Sequence, residues 1–282
     1  VASDSSSTAL ESVATSGIAS LIVGGGITTA TTSVTIDVVG GSTDLTGADY
    51  NLATTTLEIP PADYSATTSI ASGLSIVNDD LLEGNTGILL QISSSTAGLT
   101  IADVDGNGST TDALEYIIID EDTATTTVEV TDATTTEATS DNATFEFALD
   151  KTNLTGSGIV IDFIITGTAT NGVDYATTTA STTIADGAST STVNVTAIND
   201  VVIEDNETII FTLATTSNAR VATSSATGTA TAIVEDNDGL QVAFASSTYS
   251  IIENGTGTIP SYTVFGGITN STTSFDIVVT GG

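Results

Sequence analysis

The sequence predicts an all-β protein built from antiparallel β-sandwiches, and three observations support this fold class. Short runs rich in Val, Ile, Thr and Phe recur, and several alternate apolar with polar residues at period two. Turn pairs such as Asn-Gly and Asp-Gly separate the runs, and no segment carries a helical apolar stripe. The clearest predicted strands are SVTIDVV (33–39), ATFEFAL (143–149), IVIDFIIT (159–166), STVNVTAI (191–198) and ETIIFTLA (207–214). Strands that follow one another without helices between them favour antiparallel sandwiches.

The composition restricts what the chain can bind. Its 35 Asp and Glu residues face only two basic residues, Lys151 and Arg220, which gives a formal net charge of −33. This charge disfavours nucleic acid and anionic lipid as partners and favours cations. The chain has no Cys, His, Met or Trp, so disulfides, thiolate and imidazole chemistry and the usual zinc and copper ligands are excluded. No apolar run approaches the roughly 18 residues of a membrane span.

Catalytic motifs are absent from the sequence. There is no G-x-S-x-G nucleophile motif and no histidine that could act as a base. The GGG at 24–26 lacks a following Lys-Ser and a strand-to-helix context, so it indicates a turn and not a phosphate loop. We therefore expect that the protein is not an enzyme.

An internal repeat organises the chain. GGSTDLTGADY (40–50) matches GTATNGVDY (167–175), IVNDDLLEGNTGILLQI (76–92) matches AINDVVIEDNETIIFTL (197–213), and YIIIDED (116–122) matches TAIVEDND (231–238). The offsets indicate a unit of about 120 residues that occurs twice. We predict a first repeat at 1–122, a second at 123–238 and the first strands of an incomplete third repeat at 239–282.

The third segment, 239–282, parallels the opening of the chain through its GGIT sequence. Its few strands cannot close a sandwich alone, because their inner face and sheet edge would stay uncovered. Either another chain completes the fragment or the sequence is an excerpt from a longer array, and we favour the excerpt. The absence of Met also leads us to expect a mature product or a piece of something longer.

Carboxylates gather in a few short stretches, at 78–83, 120–122, 199–207 and 235–238. Neighbouring carboxylates about 4 Å apart repel one another by roughly 4 kcal/mol at an effective dielectric near 20. Solubility or adaptation to salt would spread acids over outward strand positions, where this chain mostly has Thr, Ser and Asn. A divalent cation would turn the repulsion into attraction. Calcium fits better than magnesium, because magnesium holds its waters and requires stricter octahedral geometry.

The order of these elements resembles the Calx-β repeat family. The resemblance rests on G-T-A-x-x-G-x-D-Y, D-G-A-x-T-x-T-V-x-V, I-N-D-x-x-x-E-x-N-E-T-x-x-F-x-L and a closing I-V-E-D-N-D, and it is strongest over 125–238. It implies an immunoglobulin-like sandwich that holds Ca²⁺ in loops at one end. The implied ligands are Glu137, Asp174, Asp200, Glu204, Asp236 and Asp238 in the second repeat, Asp49, Asp79, Asp80, Glu83, Asp120 and Asp122 in the first, and Glu253 in the third. The first repeat has no clean counterpart to Glu137, because Glu11 is out of register.

A further loop, DVDGNGSTTDALE at 103–115, has oxygen-bearing side chains at loop positions one, three, five and seven, namely Asp103, Asp105, Asn107 and Ser109, with Gly108 after the turn. The bidentate acid expected at position twelve is replaced by Leu114, although Asp112 or Glu115 could substitute. An ordinary Asp-Gly and Asn-Gly hairpin is the alternative interpretation.

Two classes of function remain open. The first is a structural repeat segment of an extracellular, cell-surface filament or adhesin, stiffened by calcium and partnered by copies of itself. The second is a calcium-sensing regulatory pair of sandwiches, as in the sodium–calcium exchangers of the same family. Within the structural class, strand exchange through the incomplete repeat is a further alternative.

Overall fold

The computed structural model describes residues 6–12, 19–41, 49–94, 96, 98–103, 111–139, 141–250, 253–255 and 260–280. All regular elements within these residues are β-strands, which confirms the all-β prediction. The same described ranges hold no helix of the length and hydrophobicity needed to cross a membrane. The chain forms two compact units: Val1–Ala124 with Asp150–Ile159 and Ala185–Ser189, and Thr125–Leu149 with Val160–Ile184 and Thr190–Gly282. The repeat boundaries given above stay a prediction.

The strands are named here in chain order. They are β1 (Ser6–Leu10), β2 (Ser20–Val23), β3 (Thr32–Gly41), β4 (Tyr50–Leu52), β5 (Thr56–Ile59), β6 (Thr68–Ala71), β7 (Leu74–Ile76), β8 (Leu82–Glu83), β9 (Thr86–Ser93), β10 (Asp112–Ile119), β11 (Ala124–Asp132), β12 (Thr134–Thr136), β13 (Asn142–Leu149), β14 (Asn153–Leu154), β15 (Ile159–Gly167), β16 (Ser181–Ile184), β17 (Thr190–Thr196), β18 (Val202–Ile203), β19 (Glu207–Thr216), β20 (Val221–Thr223), β21 (Thr229–Glu235), β22 (Leu240–Phe244), β23 (Tyr262–Gly266) and β24 (Ile268–Thr269).

The first unit is organised around a five-stranded sheet in the order β1-β10-β9-β3-β5. All pairs in this sheet are antiparallel except β1 with β10, which run parallel. Two small antiparallel pairs, β2 with β6 and β4 with β7, lie outside this sheet. Ile36, Ile88 and Tyr116 from the large sheet pack with Leu21 and Leu74 from the small pairs in one buried core. The unit therefore buries one face of each sheet, as period-two alternation predicts.

A second pair of sheets forms the other sandwich. Four strands follow the order β17-β13-β11-β20 and five follow the order β12-β21-β19-β15-β16. The parallel pair β12 with β21 repeats the parallel edge of the first unit. The antiparallel prediction did not include these parallel pairs, because strand direction at an edge depends on where a short strand docks.

Phenylalanines fill the space between these two sheets. Phe145 from β13 stacks on Phe211 from β19 with ring centroids 3.9 Å apart and planes 4° apart. Phe163 from β15 lies 4.7 Å from Phe147 and 4.7 Å from Phe211. Because the rings are buried by 97% or more, this cluster contributes strongly to holding the sheets together.

The third segment contributes little to a core. β22 and β23 form an antiparallel hairpin, and the rings of Tyr262 and Phe275 meet edge to face. Phe244, Phe265 and Val279 stay exposed, Val279 to 87%. The described part of this segment thus leaves several large apolar side chains exposed.

Candidate metal centres at the acidic loops

Three groups of carboxylates converge at the strand ends within the described residues. In each group, one oxygen from every member lies within 4.8 Å of the others. The first acidic group is Glu11, Asp79 and Asp122; the second is Glu137, Asp200 and Asp238; the third is Asp174, Glu204 and Glu207. Seven of these nine residues belong to the predicted ligand set, and Glu11 and Glu207 do not.

Asp79 and Asp200 are positioned by local turns of the backbone. Asp79 Oδ1 accepts a hydrogen bond from the Leu81 N–H at 2.8 Å, and Asp200 Oδ1 accepts one from the Val202 N–H at 2.7 Å. An aspartate that bonds two residues ahead makes an Asx-turn, which this residue type favours. The same Ile-or-Val–Asn–Asp sequence therefore places a carboxylate at the same point of both repeats.

Asp120 and Asp236 hold the closing loop against the acidic loop. Asp120 accepts from the backbone N–H of Glu83 at 2.5 Å and of Asp122 at 2.7 Å. Asp236 accepts from the N–H of Glu204 and of Asp238, each at 2.8 Å. Each aspartate uses both carboxylate oxygens in these bonds. They brace the loops that carry the neighbouring acids, a role that the sequence spacing did not distinguish from metal ligation.

Glu11 corrects the register inferred from the sequence. Its N–H donates to the Ile119 carbonyl at 3.0 Å, and the Glu137 N–H donates to the Glu235 carbonyl at 3.1 Å. Each glutamate follows a short strand that pairs in parallel with the closing strand of its sheet. Glu11 is therefore the structural counterpart of Glu137, and the prediction that it lies out of register is wrong. Counting residues in the sequence misses this equivalence, because the two repeats have different numbers of residues between this glutamate and the aspartate of the acidic loop.

Glu207 is the second residue that sequence reasoning left out of the ligand set. It opens β19, where it pairs with Val234, so its backbone is that of a strand residue. Its side chain nevertheless joins Asp174, whose Oδ2 accepts the Thr170 N–H at 2.5 Å. The available signal was its place three residues after Glu204 in the acidic stretch.

Burial and mutual repulsion make several of these carboxylates hard to ionise. Burial, with the nearby Asp200 and Asp236, raises the pKa of Glu137 to about 7. Burial is also the largest cause for Glu11, Glu83 and Glu207, whose pKa values rise to about 7. Neighbouring carboxylates add to the effect in every case. These carboxyl groups therefore ionise only at a pH well above the ordinary pKa of glutamate, 4.5.

The donor atoms fit a hard divalent cation. Glu137 Oε2 and Asp238 Oδ2 are buried and have no hydrogen-bond partner, although buried polar atoms are normally paired. Both belong to the second acidic group, in which one carboxylate oxygen of each residue lies within 4.8 Å of the others. Calcium takes six to eight oxygen ligands at about 2.3 to 2.6 Å and accepts irregular geometry. Glu137, Asp200 and Asp238 would hold the ion, whose charge would satisfy both buried oxygens.

The remaining predicted ligands lie in varied surroundings. Asp49 is buried, and its charge raises the pKa of Glu83. Asp80 is 87% exposed and pairs with Lys151. Asp103 and Glu253 are exposed, whereas Asp105 and Asn107 lie outside the described residues. The ligand role of every residue in the predicted set stays a prediction.

Comparison with known proteins agrees with the repeat pattern. The Calx-beta domain matches residues 8–122 and again residues 120–238. No match was found among curated protein sequences. Among solved structures, the CBD12 domains from CALX1.2 share 13% identity with a TM-score of 0.33, covering 83% of this chain and 98% of that one.

Two other solved structures are also similar. The apo-form Calx CBD1 domain shares 16% identity with a TM-score of 0.35, covering 42% of this chain and all of that one (100%). The D0-D1 domain of Intimin shares 11% identity with a TM-score of 0.24, covering 83% and 95%. At such values the assignment rests on the sequence match alone. Calx-beta domains are calcium-binding β-sandwich repeats and are not a catalytic family. With two matched domains that span most of its length, the chain belongs to the Calx-beta domain family.

Proposed function

We propose that the chain is a structural segment of an extracellular filament or cell-surface adhesin whose repeats are stabilised by Ca²⁺. The observation that carries the calcium part is the pair of buried, unpartnered oxygens, Glu137 Oε2 and Asp238 Oδ2. A buried carboxylate without a partner is strongly unfavourable unless a cation compensates it. Bound calcium would replace the unfavourable burial of these carboxylates with a stabilising interaction.

The acidic loops also carry short pairing strands, which supports a role in stiffening. β8 begins three residues after Asp79 and pairs in parallel with β14, and β18 begins two residues after Asp200 and pairs in parallel with β24. The Gly84 N–H donates to the Leu154 carbonyl at 3.3 Å, and the Ile268 N–H donates to the Val201 carbonyl at 2.5 Å. A cation that orders the acidic loop would order these pairings with it, because ligand and pairing strand share one short segment.

Composition favours a location outside the cell. The strand faces are rich in Thr and Ser, and the two basic residues leave almost no cleavage sites for trypsin-like proteases. Extracellular modules typically bind calcium with dissociation constants of about 10⁻⁴ to 10⁻³ M, which suits sites that stay filled outside cells. We infer that the partners are calcium and further copies of the same repeat.

A calcium sensor is the second candidate function. Burial, together with repulsion from neighbouring carboxylates, raises the pKa of Glu11 and of Glu137 to about 7. The loops that carry such carboxylates would rearrange when an ion leaves. A sensor would respond near micromolar calcium with a discrete conformational change. Assembly by strand exchange is a further alternative, favoured by the exposed apolar side chains of Phe244, Phe265 and Val279.

Calorimetric unfolding in EDTA and in calcium separates these functions. At a calcium concentration about 100 times the dissociation constant, each site should add about 2.7 kcal/mol to the free energy of unfolding. A calcium titration midpoint near millimolar, with no change in the radius of gyration measured by small-angle scattering, supports the structural role. A micromolar midpoint with a change in radius of gyration favours the sensor. Identical melting curves in EDTA and calcium would contradict both.

A further inference from the structure

One of the chain's two basic residues lies directly at the first acidic group. Lys151 Nζ is 2.5 Å from Asp80 Oδ1 and 3.9 Å from Asp122 Oδ1. The Lys151 side chain is only 18% exposed and Asp122 only 24%, whereas Asp80 is 87% exposed. Asp122 is a member of the first acidic group with Glu11 and Asp79. The ammonium therefore shares a carboxylate with the place where a metal ion would be held.

The second repeat has a different arrangement at the corresponding position. Asp79 and Asp200 make the same turn hydrogen bond, so they are equivalent positions of the two repeats. The residue that follows is Asp80 in the first repeat and the apolar Val201 in the second. The second acidic group contains the buried, unpartnered oxygens of Glu137 and Asp238. In the first group, by contrast, Glu11 Oε1 accepts the Asp79 N–H at 3.0 Å. The first acidic group thus has an added acid, Asp80, and an added cation, Lys151, beside it, whereas Val201 takes the place of Asp80 in the second repeat.

The electrostatic consequence follows from the distances. Burial raises the pKa of Asp122, and the charge of Lys151 is the main influence that opposes this rise. The carboxylates in turn raise the pKa of Lys151, Asp80 most of all, so the ammonium stays protonated at physiological pH. A fixed positive charge within about 4 Å of a ligand oxygen attracts the carboxylate and repels a second cation bound there.

We propose that Lys151 is a built-in counter-cation of the first acidic group, which competes with calcium for Asp80 and Asp122. The first group then binds calcium more weakly than the second, and its loop stays ordered when calcium is scarce. The inference rests on the proposed function in taking calcium as the ion, and it adds that the repeats differ in their need for it.

The test is calcium titration calorimetry on the full chain, in which the second group is disabled by Asp200→Asn with Asp238→Asn and the third by Glu207→Thr. In that background Lys151→Gln should tighten binding at the first group about tenfold, since the loss of one nearby unit charge is worth about one such factor. Lys151→Arg keeps the charge and should bind as the background does. Arg220→Gln, which removes one positive charge elsewhere, is the matched control and should leave the affinity within about twofold.

Thermal unfolding in EDTA gives a second readout that does not depend on bound metal. Lys151→Gln should lower the melting temperature in EDTA more than Arg220→Gln does, because the first group then has no compensating charge. If this background does not fold, both variants are compared in the otherwise unaltered chain in EDTA and in calcium.

The outcomes distinguish the inference from the proposed function. Equal affinities and equal melting temperatures for the Lys151→Gln and Arg220→Gln proteins would overturn the inference and leave the calcium-stabilised repeat intact. If the unaltered chain neither binds calcium nor changes its melting temperature in EDTA, the proposed function is overturned and the competition with it.

Discussion

Glu11 and Glu137 occupy the same position in two separate sheets, although the sequence does not align them. The backbone N–H of each donates to the closing strand, to the carbonyls of Ile119 and Glu235 respectively, and both side chains are at least 93% buried. Each carboxylate joins an aspartate from the Asn-Asp turn and an aspartate from the closing loop. The two repeats therefore build an acidic group from the same three structural elements.

Glu137→Gln should have effects of opposite sign with and without calcium. In calcium the variant should melt at a lower temperature and should bind the ion at least about tenfold more weakly. Loss of a residue that only supports a metal ligand already weakens metal binding by about that factor, so loss of a ligand should cost at least as much. In EDTA at pH 8 it should melt at a higher temperature, because an unpartnered buried charge is removed. Calorimetric titration and unfolding check both.

Glu129→Gln is the control for that substitution. Glu129 is an exposed glutamate on β11, so the net charge changes equally while the second acidic group keeps its three carboxylates. If both variants raise the melting temperature in EDTA by the same amount, the effect comes from net charge. That result would contradict the prediction that Glu137 is an unpartnered buried charge.

Glu207→Thr should weaken the third acidic group. Thr86 takes the corresponding place in the first unit. Thr86 pairs with Ile118, and Glu207 pairs with Val234. Ile118 and Val234 each precede the residue whose carbonyl accepts the N–H of Glu11 or of Glu137. The substitution leaves only Asp174 and Glu204 in the group, so fewer calcium ions should bind per chain. Equilibrium dialysis measures this stoichiometry, and an unchanged value would show that the third group holds no ion. Glu58→Gln, on an exposed position of β5, is the control.

The stability of the calcium-free protein should rise as the pH falls. Glu11, Glu83, Glu137 and Glu207 have pKa values raised from 4.5 to about 7 by burial and neighbouring carboxylates. A carboxyl whose pKa is higher in the folded state destabilises the fold above that pKa, and the destabilisation disappears as the pH falls towards 4.5. In EDTA the melting temperature should therefore increase between pH 8 and pH 5.

Calcium reverses this dependence, because protons compete with the ion for the same carboxylates. With saturating calcium at pH 8, lowering the pH through 7 should weaken binding and reduce the stabilisation. Melting temperatures measured in EDTA and in calcium should converge towards pH 5. A gap between them that stays constant from pH 8 to pH 5 would contradict titration of these groups.

Phe211→Ala should strongly destabilise the second sandwich. The ring stacks on Phe145 and Phe163 between the two sheets and is fully buried, so its loss leaves a cavity. Removing a buried phenylalanine costs about 3 to 5 kcal/mol. Urea unfolding followed by tyrosine fluorescence measures the change. Phe244→Ala is the control: its ring is 60% exposed, so the expected change is within about 0.5 kcal/mol.

Much of the fold follows from local pattern. The alternation in ATFEFAL places Phe145 and Phe147 on one face of β13, and the structure buries both. The acids of the Asn-Asp turns lie in loops, because Asp79 and Asp200 bond to their own backbone two residues on. Such features depend on neighbours in sequence, and period two and turn chemistry therefore predict them.

Pairing across long separations decided the rest. Glu11 reaches the first acidic group because β1 docks in parallel on β10, and Lys151 lies 71 residues from Asp80 in the chain. Asp120 and Asp122 are alike in sequence, yet the first braces two backbone N–H groups and the second joins the acidic group. The sequence by itself determined an all-β repeat with carboxylates at strand ends, because both properties arise from local spacing. Only the tertiary structure decided which carboxylates meet one another and which two meet Lys151, because strand register and loop direction are set by contacts between distant segments.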